Sequence, residues 1–175
     1  MRPGESEKVG PITDFLVKDH GRLEALLQSA VAQVGSVDQG TYDQFRAGLL
    51  RHIGMEEKIL LPAAQRLRGG EPLSIAAKLR LDHGAIASLL MPPPSAAVIA
   101  TIRAVLNVHN TIEEGPGGLY ETCDELASSE AAQLLATLQA APELAVLPCS
   151  DSPAVMPAVQ RALERAGYAF LKGKA

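Results

Sequence analysis

The sequence has little of what β-rich, secreted or membrane proteins need. Tryptophan is absent, aromatic residues make up 3% of the 175 residues, and the two cysteines, Cys123 and Cys149, form no spacing motif. No apolar run approaches the roughly 18 residues of a membrane span, and the N-terminus lacks the apolar stretch of a signal peptide. We therefore expect a reduced, cytoplasmic chain without disulfides and with no membrane partner.

Charge of one sign is also scarce, while leucine and alanine are plentiful. The formal net charge is −4, a weakly acidic balance that does not suggest a nucleic-acid partner. Hydrophobic residues make up 47% of the chain. With so few aromatic residues, this composition suits helices packed on helices better than it suits a sheet.

The spacing of the apolar residues predicts an all-α fold. The predicted helices cover about residues 13–34, 42–67, 73–90, 95–114 and, after a break, 119–127. Ser95 is the expected N-cap of the fourth helix, and Pro62 is expected to kink the second. The four long helices and their short connections favour an up-down-up-down antiparallel four-helix bundle.

The two ends of the chain are predicted to differ from this bundle. Residues 1–11 are expected to be a disordered lead. The bundle domain is predicted over residues 12–127, and residues 128–175 are predicted to form a C-terminal helical extension with helices at 130–139 and 153–171. The extension is either a structural addition or an interface for a protein partner or a homodimer.

All four histidines belong to one internal repeat. The first and third helices carry "DHGRLEALL" (19–27) and "DHGAIASLL" (82–90), while the second and fourth carry "HIGMEE" (52–57) and "HNTIEE" (109–114). The chain therefore contains DHG, HxxxEE, DHG and HxxxEE in that order, with one histidine on each helix.

Each histidine lies within an apolar stripe at helical spacing. The stripe residues at −4, +3 and +7 are Leu16, Leu23 and Leu27 around His20, and Leu79, Ile86 and Leu90 around His83. Because the stripe faces the core, we expect each histidine, and the glutamate one turn after His52 and His109, to point inward. A lone core histidine is more often simply hydrogen-bonded, and a lone HxxxE pair is more often a surface contact. Their repetition favours a shared site.

Inward histidines and glutamates in an apolar core are costly unless they are paired or bind a metal. The candidate ligands are His20, His52, Glu56, His83, His109 and Glu113. Histidine and carboxylate without thiolate suit iron, manganese or zinc. Two ions that each have two histidines, two shared glutamates and an oxo or hydroxo bridge keep one position open. A structural zinc site would be closed and tetrahedral, so we predict two non-heme iron ions.

These motifs resemble the hemerythrin-like HHE cation-binding domain family. The resemblance covers roughly residues 12–127 and rests on the ordered set of histidines and HxxxE pairs. The run "HIGMEEKILLP" (52–62) is similar to the usual second-helix signature of this family. The resemblance implies a four-helix bundle around a non-heme di-iron site bridged by carboxylates.

Two positions depart from the family pattern. Leu79 stands one turn before His83, where the respiratory hemerythrins carry a fifth histidine, so the resemblance implies sensing or processing of a ligand, or iron handling, rather than reversible oxygen carriage. "GPGG" (115–118) follows the glutamates of the fourth helix and leaves open which of them bridges. The internal repeat favours Glu113, and the family spacing favours Glu114.

Four further residues stand close to the predicted ligands in the sequence. Tyr120 is either a packing residue at the end of the bundle or a hydrogen-bond or electron donor at the site, and we favour packing. Cys123 is a weaker candidate for a redox sensor. Asp19 and Asp82 precede their histidines and are expected to be solvated or to contact a histidine ring nitrogen.

The motifs thus predict a di-iron protein that binds or senses oxygen, peroxide or nitric oxide. Peroxidase- or catalase-like activity is one form of this function, although the sequence identifies no catalytic residue. The alternative is an iron-buffering or metal-stabilised interaction module without catalysis. Repair of iron–sulfur clusters is a related interpretation, but no cysteine-rich N-terminal segment supports it.

Overall fold

The computed structural model describes residues 9–172, and over this range the protein is all-α. The α-helices are α1 Pro11–Ala30, α2 Gln39–Met55, α3 Leu61–Leu67, α4 Ala76–Leu89, α5 Ala96–Glu114, α6 Leu119–Ala127, α7 Ala131–Gln139 and α8 Val155–Ala166. Together they confirm the predicted bundle with extra helices. Of the predicted disordered lead, residues 1–8 lie outside the described residues, and α1 already begins at Pro11. Within the described range, no helix is long and apolar enough to cross a membrane.

The second helix of the bundle contains one turn of wider pitch. A π-helical turn over Glu56–Leu60 joins α2 to α3, so the segment predicted as one helix is continuous. Within it, the N–H of Leu61 donates to the carbonyl of Glu56, five residues earlier. Pro62 follows this turn at the start of α3, where its missing N–H is tolerated. The irregularity in this helix is therefore a π-turn just before Pro62, and such turns are frequent at functional sites.

Side-chain caps fix where α1, α2 and α5 begin, and the cap of α2 is the Asp38 carboxylate, which accepts from the Thr41 N–H at 2.7 Å. The Ser95 hydroxyl accepts a hydrogen bond from the Val98 N–H at 3.2 Å, which confirms the predicted N-cap of α5. The cap of α1 comes from a distant helix, because the Asp124 carboxylate of α6 accepts from the N–H groups of Ile12 and Thr13 at 3.0 and 2.9 Å. This contact holds α6 against the start of α1.

Two apolar clusters fill the core, one at each end of the bundle. The upper cluster contains Leu23, Leu27, Tyr42, Phe45, Leu49, Ile86, Leu89, Leu90, Ile102 and Val105. The lower cluster contains Ile12, Leu16, Met55, Leu60, Leu61, Leu79, Leu119, Tyr120 and Cys123. The four histidines lie in sequence between residues of the two clusters, so the polar layer sits at mid-height with apolar packing above and below.

The C-terminal helices pack on the bundle within the same chain. Leu138 of α7 is buried in the lower cluster, and Val159 and Leu163 of α8 are buried in the upper cluster. The Lys78 ammonium of α4 also donates to the carbonyl of Ala166 at 2.9 Å. The apolar faces of these helices are therefore covered by the bundle itself, and a domain boundary at residue 127 stays a prediction.

Candidate metal centre

Four histidines and two glutamates converge in the middle of the bundle. Their exposed fractions are 2% for His52, 3% for His83, 3% for His109, 0% for Glu56 and 0% for Glu113, and the His20 side chain is 9% exposed. Each histidine comes from a different helix of the bundle, while Glu56 opens the π-turn and Glu113 lies in the last turn of α5. The tertiary structure therefore brings together all six residues that the sequence selected.

The six side chains form two groups that share both glutamates. His20 and His52 with Glu56 and Glu113 form the first half-site, and His83 and His109 with the same glutamates form the second half-site. Within each half-site, the ligand atoms lie within 4.8 Å of one another.

Each shared glutamate directs one oxygen to each half-site. Glu56 Oε1 is 3.1 Å from His52 Nε2, and Glu56 Oε2 is 3.1 Å from His83 Nε2. Glu113 Oε2 is 3.5 Å from His20 Nε2, and Glu113 Oε1 is 3.0 Å from His109 Nε2. This is the orientation that a pair of bridging carboxylates would have.

Glu113 and Glu114 lie in different environments. Glu113 is fully buried between the half-sites, whereas the Glu114 side chain is 34% exposed and accepts a hydrogen bond from His20 Nδ1 at 2.5 Å. Glu113 and not Glu114 therefore lies between the two half-sites, as Glu56 does, and this is the position that the internal repeat indicated.

A ring of four carboxylates surrounds the histidines. Each accepts a hydrogen bond from the Nδ1 of a histidine on the next helix of the bundle: Asp19 to His52 at 2.8 Å, Glu57 to His83 at 2.6 Å, Asp82 to His109 at 3.3 Å and Glu114 to His20 at 2.5 Å. The ring runs from α1 to the second helix, to α4, to α5 and back to α1. Because every Nδ1 is held in this way, every Nε2 points into the site.

This ring explains why the repeat contains acidic residues besides the six candidate ligands. Asp19 and Asp82 make the ring-nitrogen contacts that were one of their two expected environments, and neither is solvated. Sequence reasoning missed Glu57 and Glu114 as partners of histidines. The sequence did contain a signal for these two residues, because the second glutamate is present in both HxxxEE motifs, just as the first is.

The carboxylates change the protonation of the buried histidines. Burial by itself lowers the pKa of His52, but Glu56 and Asp19 outweigh it and raise that pKa to about 10. In the same way, carboxylates raise the pKa of His83 to about 10 and of His109 to about 9. His20 differs, because burial and the nearby charge of His52 lower its pKa.

The pKa values of Glu56 and Asp19 shift in the opposite sense. Burial raises the pKa of Glu56, but His52 and His83 hold it well below its usual value. The pKa of Asp19 is lowered to about 2 because the contacts with His52 and Arg22 outweigh its burial. Without a metal, His52 and its partners Glu56 and Asp19 are therefore a buried ion-paired group, in which imidazolium supplies the positive charge.

The second half-site contains polar atoms that no hydrogen bond satisfies. Among the described residues, these buried atoms include Glu56 Oε2, His83 Nε2 and Glu113 Oε1, whose contacts of 3.0 to 3.8 Å with one another and with His109 Nε2 do not have hydrogen-bond geometry. Buried polar groups without partners are rare because they lose the hydrogen bonds that they make in water. Two carboxylate oxygens and an imidazole nitrogen that converge here suit a cation such as iron, manganese or zinc.

Tyr120 lies in the first half-site. The residue is 0% exposed, and its hydroxyl oxygen is 2.6 Å from Glu56 Oε1 and 3.1 Å from Glu113 Oε2. The same oxygen lies 3.1 Å from His20 Nε2 and 3.2 Å from His52 Nε2. The ring packs in the lower cluster, as we favoured, but packing is only part of its role, because the hydroxyl also reaches into the site.

The "GPGG" turn makes this position possible. Gly117 has a φ of +69°, a left-handed conformation that glycine adopts without strain. Gly118 comes so close to the end of α5 that an added Cβ would lie 2.6 Å from the carbonyl oxygens of Ile112 and Glu113. The turn thus starts α6 directly beside the site, with Tyr120 as its second residue.

Two other residues near the site have no polar role in the structure. Leu79 is 0% exposed in the lower cluster, one turn before His83. Cys123 is 1% exposed, and burial raises the pKa of its thiol to about 12, so its reactive thiolate is disfavoured. The suggestion that Cys123 is a redox sensor gains no support.

A cavity of about 600 Å³ opens beside the first half-site. Its walls come from α1, α2 and α5 and combine apolar Leu23 and Phe45 with polar Arg103. His20 and Glu114 also line this cavity. It therefore offers a small molecule a route from solvent to the edge of the cluster.

The model of a known protein family matches the segment of the chain that contains this site. Residues 11–143 match the model of the family described as Hemerythrin HHE cation binding domain. The matched segment contains all six residues of the two half-sites, the four carboxylates of the ring and Tyr120. No curated protein and no solved structure matches the chain.

Proposed function

The chain belongs to the hemerythrin HHE cation-binding domain family, and we propose that it is a non-heme di-iron protein that binds or senses oxygen, peroxide or nitric oxide. The observation that supports this proposal most directly is the pair of half-sites that share Glu56 and Glu113. Two ions side by side, bridged by two carboxylates, would satisfy both oxygens of each glutamate. A single ion would leave half of the cluster without a cation.

Each half-site would hold one ion through two histidines. His20 and His52 would supply the nitrogen ligands of the first ion, and His83 and His109 those of the second. Bound iron would supply redox chemistry and coordination positions that the protein leaves open. We prefer iron to zinc because a structural zinc site would be closed by four protein ligands and would not need the shared pair.

The surrounding residues prepare the site for a charged metal. The four carboxylates of the ring keep each histidine tautomer fixed, with Nδ1 protonated and Nε2 directed inward. His52, His83 and His109 must each lose one proton when an ion binds, because only the free Nε2 lone pair is a ligand. The two apolar clusters keep bulk water away, and the cavity at His20 leaves one approach for a small ligand.

The test is metal analysis combined with visible spectroscopy on protein loaded with Fe(II) without oxygen. We expect about two iron ions per chain and absorption that changes when oxygen, peroxide or nitric oxide is added. A variant that carries both His52→Ala and His109→Ala, and so loses one histidine from each half-site, is the control and should lose this iron. Zinc alone, or no metal after reconstitution with Fe(II), would contradict the di-iron centre.

Iron-buffering or a metal-stabilised interaction module is the alternative function. Two bound iron ions whose spectrum ignores all three ligands would favour it. Docking of a partner on the C-terminal helices is less favoured within this alternative, because Val159 and Leu163 of α8 are buried against the bundle. A cytoplasmic location stays part of the main proposal, because the free thiols of Cys123 and Cys149 suit a reducing compartment.

A further inference from the structure

The hydroxyl of Tyr120 contacts a ligand atom of every residue in the first half-site. The four distances lie between 2.6 and 3.2 Å. Around an octahedral ion with ligands at about 2.1 Å, neighbouring ligand atoms lie about 3.0 Å apart. The distances from the tyrosine oxygen to the four ligand atoms thus match the distance between two neighbouring ligands of one metal. They are longer than the distance from a metal to its ligand.

We propose that Tyr120 is a fifth protein ligand of the metal in the first half-site. This inference rests on the proposed di-metal centre. Its hydroxyl would form the apex of a pyramid whose base contains one atom each from His20, His52, Glu56 and Glu113. Two edges of this base measure 3.1 Å, from His52 to Glu56, and 3.5 Å, from His20 to Glu113.

The remaining separations agree with such a pyramid. All four atoms of the base lie within 4.8 Å of one another, which leaves room for the diagonals of about 4.2 Å that an octahedral base requires. One position opposite the tyrosine oxygen remains free of protein ligands. The first metal would then have five protein ligands, and its sixth position would be left for the bridging oxo or hydroxo group.

The second half-site is different. The described structure offers only Glu56, His83, His109 and Glu113 there, and Leu79 lies one turn before His83. The other tyrosines are elsewhere, since Tyr42 is in the upper cluster and Tyr168 packs on Lys78. The two metals are thus unequal, with five protein ligands on one and four on the other.

Coordination changes the chemistry of the tyrosine. As the metal–oxygen bond forms, the O–H bond breaks and its proton passes to water, so no oxidant or reductant is consumed. The resulting phenolate is an anionic oxygen donor, which stabilises Fe(III) relative to Fe(II). A phenolate ligand on Fe(III) also produces an intense visible charge-transfer band that carboxylate and imidazole ligands do not produce.

The position of Tyr120 is fixed from both sides along the chain. The tight turn at Gly117 and Gly118 precedes it, and Asp124, one turn later on α6, caps the start of α1. The hydroxyl therefore does not need to move into the site when a metal binds.

The experiment compares wild type, Tyr120→Phe and Tyr42→Phe after loading with iron and oxidation in air. Tyr42→Phe is the matched control, because it removes the hydroxyl of another tyrosine that is 0% exposed, in the upper cluster. Three quantities are measured: iron per chain, resonance Raman scattering excited in the visible band, and the midpoint potential. We expect wild type and Tyr42→Phe to show phenolate vibrations, and Tyr120→Phe to lose them while its potential rises.

Each outcome separates this inference from the di-iron proposal. Two iron ions without phenolate vibrations in wild type, or the same vibrations in Tyr120→Phe, would overturn the tyrosine ligand and leave the di-iron centre intact. Failure of wild type to bind iron would overturn both. Far-UV circular dichroism of each variant shows whether its helices have formed, and a Tyr120→Phe variant that folds and loses only the vibrations supports the inference.

Discussion

Adjacent glutamates in each HxxxEE motif have different partners. The first residue of each pair, Glu56 or Glu113, lies between the half-sites, and the second, Glu57 or Glu114, accepts from a histidine Nδ1. Neighbours on a helix point about 100° apart, so two adjacent carboxylates can serve the same site from inside and outside. The two glutamates of a pair are chemically identical, and only the direction of the side chain determines which role each one has.

Glu113→Gln and Glu114→Gln should therefore differ in their effect on iron binding. Glu113→Gln removes the charge of a shared ligand, and we expect iron to be lost from both half-sites. Glu114→Gln removes only the partner of His20 Nδ1, and we expect about 10–100-fold weaker iron binding. Competition with a coloured chelator measures both. Full iron content in Glu113→Gln together with loss in Glu114→Gln would reverse the two roles.

The raised pKa values of the buried histidines predict how the metal-free protein responds to alkali. The pKa of His52 and His83 rises from 6.5 to about 10 on folding, and that of His109 to about 9. A raised pKa stabilises the fold fully below pH 6.5, and this contribution is lost as the pH rises through the folded value. We expect the free energy of unfolding of the metal-free protein to fall between pH 6.5 and 10.

Urea unfolding at several pH values in this window measures the effect. Iron-loaded protein is the comparison, because its histidines carry no Nε2 proton to lose. A metal-free protein of constant stability from pH 6.5 to 10 would show that these histidines are not held as imidazolium ions.

Two irregular backbone elements set the site at the scale of helices. The π-turn over Glu56–Leu60 begins at a shared glutamate, and the turn after α5 brings α6 back beside Glu113. The π-turn and the turn after α5 interrupt regular α-helix next to Glu56 and Tyr120, two residues whose side chains reach the half-sites. Straight helices alone would supply the histidines but not Tyr120.

Gly118→Ala should disturb this second element. Its new Cβ would lie 2.6 Å from two backbone carbonyl oxygens of α5 and 2.7 Å from that of Gly115, and backbone atoms have little freedom to move away. We expect a loss of about 1–3 kcal/mol in the free energy of unfolding, together with reduced iron content. Thermal melting and elemental analysis measure the two effects.

Gly84→Ala is the matched control for this change. Gly84 lies within α4 beside His83, and an added Cβ would meet nothing within 4 Å. Alanine in this helix should raise the free energy of unfolding by about 0.5–1 kcal/mol. Equal behaviour of the two variants would show that the approach of Gly118 to α5 is not tight.

At the scale of the whole molecule, the C-terminal extension is joined to the proposed metal centre by a chain of contacts. The Lys78 ammonium lies 3.3 Å from the Tyr168 hydroxyl and 2.5 Å from Asp82 Oδ1. Asp82 in turn accepts from His109 Nδ1. Residues far beyond the last HxxxEE motif therefore help to orient His109, a proposed ligand of the second half-site.

Leu163→Ala should show that the extension and the bundle unfold together. Leu163 is 1% exposed in the upper cluster, so we expect a loss of about 2–5 kcal/mol in a single unfolding transition. Leu147→Ala is the control, because Leu147 is 83% exposed and its truncation should change stability little. A separate early transition in Leu163→Ala, with the bundle unaffected, would instead identify the extension as an independent unit.

The sequence by itself determined the helices and the inward face of each one. Helical periodicity is a local property, so the offsets of apolar residues around His20 and His83 were enough to orient them. The repeat then selected the six residues of the half-sites without any knowledge of how the helices cross. It also favoured Glu113 over Glu114, because Glu56 has the equivalent place in its own motif.

Only the tertiary structure decided which partner each remaining polar residue meets. Asp19 points away from its own histidine, and whether it meets water or His52 depends on how closely α1 and α2 approach each other. The position of Tyr120 depends on the direction in which the chain leaves the turn at Gly118, which has no periodicity to read. Contacts between elements depend on crossing geometry and turn conformation, and neither is encoded in the spacing of residues along one helix.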